Sequence, residues 1–263
     1  MTTVRENVLL IDADVLCHQF AYSNTTTIDW DGDGETMEFT NPENSKKAVD
    51  RFVEGLMKTL KGTAAVLVLS DSNRNFRKEL DPTYKLDRAA KPKPTLWKTI
   101  RDYIEFGQME YLVVQYPSLE GDDVLGILAT GIYAGISTIV TIDKDLHTIP
   151  GRLYLQNHPE LGVKQIDELE AIRFHLTQVL TGDAVDCYPG LKGCGPITAA
   201  KLLNDVHDPE ELWAVVVAEY VRKGKTEDDA IHQARLAYIL QDGDYDFETN
   251  EVRLWCPGNL SLV

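Results

Sequence analysis

The chain has 263 residues, 43% of them hydrophobic, and a formal charge of −16. That is enough apolar material for a real core, in one large α/β domain or two small ones. The charge excludes a protein that coats nucleic acid by bulk attraction, but not a local basic patch or acids gathered around metal ions. No window approaches the ~18 consecutive apolar residues of a membrane span. The opening MTTVRENVLLIDADVL lacks the basic region and cleavage site of a secretory leader. Cys17, Cys187, Cys194 and Cys256 form no CxxC pair, which predicts a reduced, cytosolic protein and not a disulfide framework or a zinc site.

In chain order, NVLLIDADV is an apolar run ending in acids, as a buried parallel strand is. TTTIDWDGDGETMEFT reads as a β-hairpin around Asp33-Gly34. Within it Asp29, Asp31, Asp33 and Gly34 match the start of an EF-hand calcium loop. The bidentate Glu that such a loop needs is Thr40 here, and the flanks alternate like strands, so the hairpin is preferred. NPENSKKAVDRFVEGLMKTLKG predicts an amphipathic helix with Asn41 as N-cap, Pro42 at the first position and Gly62 as the stop. AAVLVLSD, MEYLVVQYP, ISTIVTIDKDL and GRLYLQN supply the second to fifth strands, a pattern of alternating strands and helices that implies a mostly parallel sheet. Further on, DPEELWAVVVAEYVRKG and TEDDAIHQARLAYILQDG are acidic amphipathic helices that offer a partner surface.

In parallel sheets ligands sit beyond the carboxyl ends of the strands. Asp12 and Asp14 end the first strand, Asp71 the second, and Asp143 and Asp145 the fourth; Glu120, Asp122 and Asp123 follow the third. Each alone is an ordinary turn or N-cap acid. Four strands in succession point instead to carboxylates converging on cations, and hard oxygen ligands select Mg²⁺ or Mn²⁺ over zinc. LTGDAVDCYPGLKGCGPITAAKLL adds Asp183 and Asp186 on one turn, then Gly193, Gly195 and Pro196, a glycine turn feeding a helix that is suited to seating a phosphate. Between Arg74 and Arg101 lie nine Lys or Arg against three Asp or Glu, a phosphate-guiding wall or a solvated basic face.

LLIDADVL, SDSNRNFRKELDPTYKLDR, LEGDDVLG, TIDKDL and TGDAVDCYPGLKGCGPITAAKLL together resemble, in order and spacing, the 5′-nuclease family. That family includes flap endonucleases, the 5′-nuclease domains of bacterial DNA polymerases and bacteriophage 5′–3′ exonucleases; the ending DGDYDFETNEVRLWCPG looks most like the phage enzymes. The resemblance implies an α/β, PIN-like nuclease core over residues 1–165, a mostly parallel sheet flanked by helices, with a basic arch at about 74–101. It also implies a helical DNA-binding region over 166–263, with a helix–three-turn–helix element at about 182–204.

By the same resemblance, Asp12, Asp71, Glu120, Asp122 and Asp123 form a first metal cluster and its near shell. Asp143, Asp145, Asp183 and Asp186 form a second, with Asp143 shared. Lys85 is expected to stabilise the scissile phosphate, Tyr84 to stack on a terminal base, and Arg77 and Arg88 to contact phosphates. Lys192, Gly193, Gly195, Thr198 and Lys201 are expected on the duplex. Asp14 has no strong family counterpart and is read as a helix cap. The implied activity is a two-metal 5′–3′ exonuclease of DNA, with flap cleavage and RNase H-like action on RNA–DNA hybrids, serving phage DNA replication or degradation. Two Mg²⁺ or Mn²⁺ ions, a K⁺ at the helix–three-turn–helix, replication proteins as partners, no membrane, and a host-cytoplasmic setting complete the expectation.

The chain departs from the family pattern at three places. Ile197 stands where a lysine is usual, leaving Lys192 or Lys201 to supply that phosphate contact. Pro92 and Pro94 break helices and predict a short arch. Gly121 replaces a commoner alanine. Two other readings stay open. The first is a phosphotransferase of the haloacid dehalogenase type, from Asp12-x-Asp14, which wants Thr or Val where this chain has Leu16. The second is a DNA-binding relative without catalysis.

Overall fold

The structure, a computed structural model, describes residues 6–23, 25–29, 37–71, 73–89, 92–106 and 110–260. In chain order it forms β1 (Val8–Asp12), α1 (Ala13–Ser23), β2 (Thr25–Ile28), β3 (Met37–Thr40), α2 (Pro42–Leu60), β4 (Ala64–Val68), α3 (Phe76–Leu80), α4 (Leu86–Ala89), α5 (Trp97–Phe106) and β5 (Leu112–Val114). There follow α6 (Gly121–Thr130), β6 (Ser137–Thr141), β7 (Gly151–Leu155), β8 (Val163–Ile166), α7 (Glu168–Thr181), α8 (Pro196–Leu203), α9 (Pro209–Arg222), α10 (Glu227–Ala237), β9 (Tyr245–Asp246) and β10 (Glu251–Val252).

The main sheet runs β5-β4-β1-β6-β7-β8. Every pairing is parallel except β7 with β8. β1 is the central strand, buried along its whole length, because its two faces serve two cores. Val8 and Leu10 pack with Val66, Val68 and the buried side of α6. Leu9 and Ile11 pack with Leu67 and the helices α1, α2 and α5. This order brings the carboxyl ends of β4, β1 and β6 side by side, which is what the placement of the acids requires.

The expected hairpin is present as β2 paired antiparallel with β3; residues 30–36, which include the EF-hand-like acids Asp31 and Asp33, lie outside the described residues. Asn41 caps α2, its side chain accepting from the Asn44 N–H, with Pro42 in the first turn. The left-handed residue that ends α2 is Lys61 (φ 53°), one position before the glycine expected there. The five expected strands all occur, although β4 ends at Val68, so Asp71 lies in the loop beyond it. β8 and the short β9–β10 hairpin were not foreseen.

Helices α7 to α10 enclose their own cluster, with Leu176, Val179, Leu180, Leu212, Trp213, Val216 and Trp255 at its centre. After α10 the chain returns to the sheet, where Ile239, Leu240 and Tyr245 join the core beneath α6. The change of architecture near residue 166 is therefore not a break in packing. Among the described residues, no helix is long and apolar enough to cross a membrane.

His175 of α7 is buried edge-on against Tyr238 and Trp255. Burial lowers its imidazole pKa from 6.5 to about 4, so the folded state holds it neutral where the unfolded chain would protonate it. Its contribution is complete above pH 6.5 and is lost as pH falls through about 4. The stability gap between wild type and His175→Leu should narrow by on the order of 3 kcal/mol between pH 7 and pH 4 in urea titrations. A gap that does not change with pH contradicts this.

Candidate active site

A cleft of about 910 Å³ opens at the carboxyl ends of β1 and β6. Asp12, Asp14, Glu120, Asp122, Asp143 and Lys85 line it, and the α1 face with His18, Gln19 and Tyr22 extends it. Thr141 joins two of these acids. Its hydroxyl donates to Asp12 Oδ2 at 2.8 Å and accepts from the Asp143 N–H at 3.1 Å. Asp12 Oδ1 accepts from the Val15 N–H at 3.3 Å, so Asp12, not Asp14, faces the first turn of α1.

Burial first, and then the charge of Asp14, push the Asp12 carboxyl up to about 7. Asp122 is likewise raised, by burial and then by Asp143 and Asp12. Asp143 caps the short 3₁₀ turn Lys144–Thr148, accepting from the Asp145 N–H at 2.9 Å. Burial, followed by the Asp143 charge, brings Asp145 up to about 7, with Asp183 and Asp186 adding to the effect. Asp183 Oδ1 takes the N–H groups of Val185 and Asp186 at 2.7 and 3.3 Å. The seven acids Asp12, Glu120, Asp122, Asp143, Asp145, Asp183 and Asp186 thus form one connected electrostatic group.

Lys85 reaches this group from the segment between α3 and α4. Its Nζ lies 2.6 Å from Glu120 and 3.4 Å from Asp186. Its backbone is left-handed (φ 53°), a conformation costly for a residue with a side chain. The bond from its N–H to the Asp186 carbonyl, 2.9 Å, holds it there. Burial opposes its charge, but Glu120 and Asp186 outweigh burial and raise its pKa. Burial would also raise Glu120, yet Lys85 and Arg77 hold that carboxyl at about 2.

Several expected site residues are placed elsewhere. Asp123 faces away from the cleft: it is fully buried and forms a two-pronged pair with Arg77, 2.7 Å on each prong. Adjacent helical residues point about 100° apart, and here Asp122 turns to the cleft while Asp123 turns to the core. Arg77, expected on phosphate, is 2% exposed and also donates to Glu120 and to the carbonyls of Leu236 and Tyr238. Tyr84, expected to stack on a base, is 3% exposed, and its hydroxyl donates to Glu120. Asp71 spends its oxygens on the N–H groups of Asn73 and Ser118 and does not line the cleft. The Arg88 side chain lies outside the described residues. Asp14, read as a cap, instead crosses to the end of β4, accepting from the Ser70 N–H at 2.8 Å and from Arg101 at 3.0 Å.

Gly193 turns with φ 79°, and Gly195 precedes α8, which Pro196 opens. Gly182 (φ 67°) and Gly190 (φ 59°) pass so closely that a Cβ on Gly190 would sit 2.2 Å from the Gly182 nitrogen. That contact lets α7 feed the 183–195 turn and then α8. Lys192, Gly193, Gly195, Thr198 and Lys201 are all exposed there, as is Ile197.

The donor set fits a hard divalent cation. It is all oxygen, Asp145 Oδ1 is buried without a hydrogen-bond partner, and burial followed by neighbouring carboxylates raises Asp12 and Asp145 to about 7. Among the described residues, no three His, Cys, Asp or Glu side chains are drawn around a single point.

A parallel α/β sheet with acids at the carboxyl ends of its central strands, a lysine over them and a glycine turn beside them defines a PIN-like nuclease. Residues 7–169 match the family described as 5′-3′ exonuclease, N-terminal resolvase-like domain, and the chain belongs to that family. It is 33% identical over 228 residues to the exonuclease of Escherichia phage T7, covering 74% of this chain and 75% of that protein. It is 25% identical over 220 residues to the flap endonuclease Xni of Shewanella baltica, covering 80% and 84%. The solved T5 5′-exonuclease with bound zinc superposes with a TM-score of 0.66 at 13% identity, covering 88% of this chain and 89% of that one, a likeness of fold. Family membership removes the phosphotransferase reading.

Proposed function

We propose that this chain is a divalent-metal-dependent nuclease that hydrolyses DNA from a 5′ end and also cuts 5′ flaps. The observation that carries the reading is the convergence of Asp12, Glu120, Asp122 and Asp143 on one cleft, with Asp145, Asp183 and Asp186 beside them. The T7 relative, an exonuclease, and Xni, a flap endonuclease, support the two reactions.

Asp12, Glu120, Asp122 and Asp143 would hold one Mg²⁺ or Mn²⁺, and Asp143, Asp145, Asp183 and Asp186 a second. When bound, such ions supply a nucleophile from water near neutral pH and offset charge on the attacking and leaving oxygens at phosphorus. Lys85 keeps its proton and presents the ammonium at the cleft, where it meets a phosphate oxygen as charge builds. The Thr141 hydroxyl fixes the spacing of Asp12 and Asp143. Lys192, Gly193, Gly195, Thr198 and Lys201 hold the duplex backbone beside a K⁺, and exposed Ile197 leaves Lys192 and Lys201 as the charged contacts. RNA–DNA hybrids are a second substrate. Phage DNA replication or degradation in the host cytoplasm, alongside replication proteins, is the setting.

The test uses duplexes labelled at the 5′ or the 3′ end, with and without a flap, in Mg²⁺ and in EDTA. The expected result is early release of the 5′ label, cutting at the flap junction, and no product in EDTA. Early release of the 3′ label, or tight Mg²⁺-dependent binding without cleavage, contradicts the reading; the latter is the behaviour of a non-catalytic relative. Lys85→Ala should lower kcat about 100-fold while DNA affinity in Ca²⁺ changes less than about threefold. An affinity loss with unchanged kcat would make Lys85 a remote phosphate contact.

A further inference from the structure

Asp14 poses a problem for an acidic cleft. It lines the same cavity as Asp12, Asp122 and Asp143 and is 26% exposed. Left free, a carboxylate two residues from Asp12 would compete for any cation bound there and draw it out of place.

Arg101 pairs with Asp14. It is 5% exposed and lies on α5, the helix that closes the basic segment. Its guanidinium donates to Asp14 Oδ1 at 3.0 Å and to the Ser70 carbonyl at 2.7 Å. Trp97, one turn earlier on α5, lies 5.6 Å beneath it, and Glu105, one turn later, pairs with it at 3.4 Å. The other oxygen of Asp14 is taken by the Ser70 N–H at 2.8 Å. The Ser70 hydroxyl in turn accepts the Gly121 N–H at 2.8 Å. Gly121 is flanked by Glu120 and Asp122, so the chain of contacts ends on two acids of the cleft. A Cβ at Gly121 would come within 3.3 Å of Asp14 Oδ2. A glycine at this position makes room for the arrangement.

We infer that Arg101 is a positioning residue of the active site: it binds Asp14 against Ser70, keeps that carboxylate from taking a cation, and steadies the turn that presents Glu120 and Asp122. The inference rests on the metal-dependent reading above. It also gives the basic segment a role beyond touching DNA, because a shift of α5 would reach the acids through Arg101.

The experiment compares wild type, Arg101→Met, Asp14→Asn and the double variant in the full chain. It records kcat and KM on a 5′-labelled duplex, Mn²⁺ binding by calorimetry, and Tm. Arg101→Met should lower kcat about 100-fold, the scale of misplacing a reacting group by about 1 Å, with KM within about threefold and Mn²⁺ bound at least as tightly as in wild type. Adding Asp14→Asn should restore kcat to within about tenfold, since the competing charge is then gone. A role confined to packing would not be rescued this way. Unchanged kcat, weakened Mn²⁺ binding, or no rescue overturns the inference. If Arg101→Met does not fold, Asp14→Asn alone decides: kcat within about tenfold of wild type supports the inference, and a loss of about 1000-fold would make Asp14 a ligand and overturn it. Failure of wild type to cut DNA sinks the nuclease reading; equal cutting by wild type and Arg101→Met sinks this inference alone.

Discussion

Asp122→Asn should lower kcat by about 10³-fold, roughly 4 kcal/mol of transition-state stabilisation, while DNA binding in Ca²⁺ stays near wild type. Asp122 faces Asp143 and Asp12, with Lys85 and Glu120 next in influence. It is buried among other acids, which raise its pKa, and so gains from a cation. Asparagine keeps its shape and removes its charge, so the substitution tests the charge and not the packing. Removing an anion from that crowd should also leave the fold no less stable. Loss of activity together with loss of fold would mean that Asp122 is a structural acid; undiminished turnover would remove it from the site.

Arg77→Met should destabilise the protein by about 3–5 kcal/mol, because it strands Asp123 as an unpaired charge in the core. Arg77 offers its donors to Asp123, Glu120 and two carbonyls of the segment after α10. It therefore ties α3, α6 and the returning C-terminal chain together. Asp123 also accepts from the Leu240 N–H at 3.2 Å, so the damage should spread to that segment. Arg77→Lys should fail as well, since a single ammonium cannot span those acceptors. Urea unfolding monitored by circular dichroism reads the effect. An unchanged midpoint with weakened DNA affinity would return Arg77 to the DNA-binding surface.

Arg77 shows where the sequence stops being legible. Nine cations over residues 74–101 read locally as a wall for phosphate. Arg77 and Arg101 instead find carboxylates 46 and 87 residues away in the chain, and both are buried. No local pattern marks such a pairing. Tyr84 was misread for the same reason: its cover comes from Tyr188, Leu236 and Ala237. Asp12, Asp122 and Asp143 could be placed near one sheet edge because a parallel sheet must gather the carboxyl ends of its strands, whereas Asp71 could not, since β4 stops at Val68 and Asp71 turns to the loop N–H groups. The buried strands were legible as unbroken apolar runs. β8 was not: Val163, Lys164 and Gln165 are exposed on an antiparallel edge and carry no such run. The split between Asp122 and Asp123 was not legible either, because side chains about 100° apart can still share a broad helix face, and it is buried Arg77 that draws Asp123 away.

The central claim is that acids from separate strands hold divalent ions in one cleft. Diffraction from crystals grown with Mn²⁺, recorded at the manganese edge, tests it most directly. The account predicts anomalous peaks contacting Asp122 and Asp143 on one side and Asp145, Asp183 or Asp186 on the other, with Asp14 still on Arg101. Peaks confined to other parts of the surface, or a cleft without manganese at concentrations that support cleavage, would contradict it.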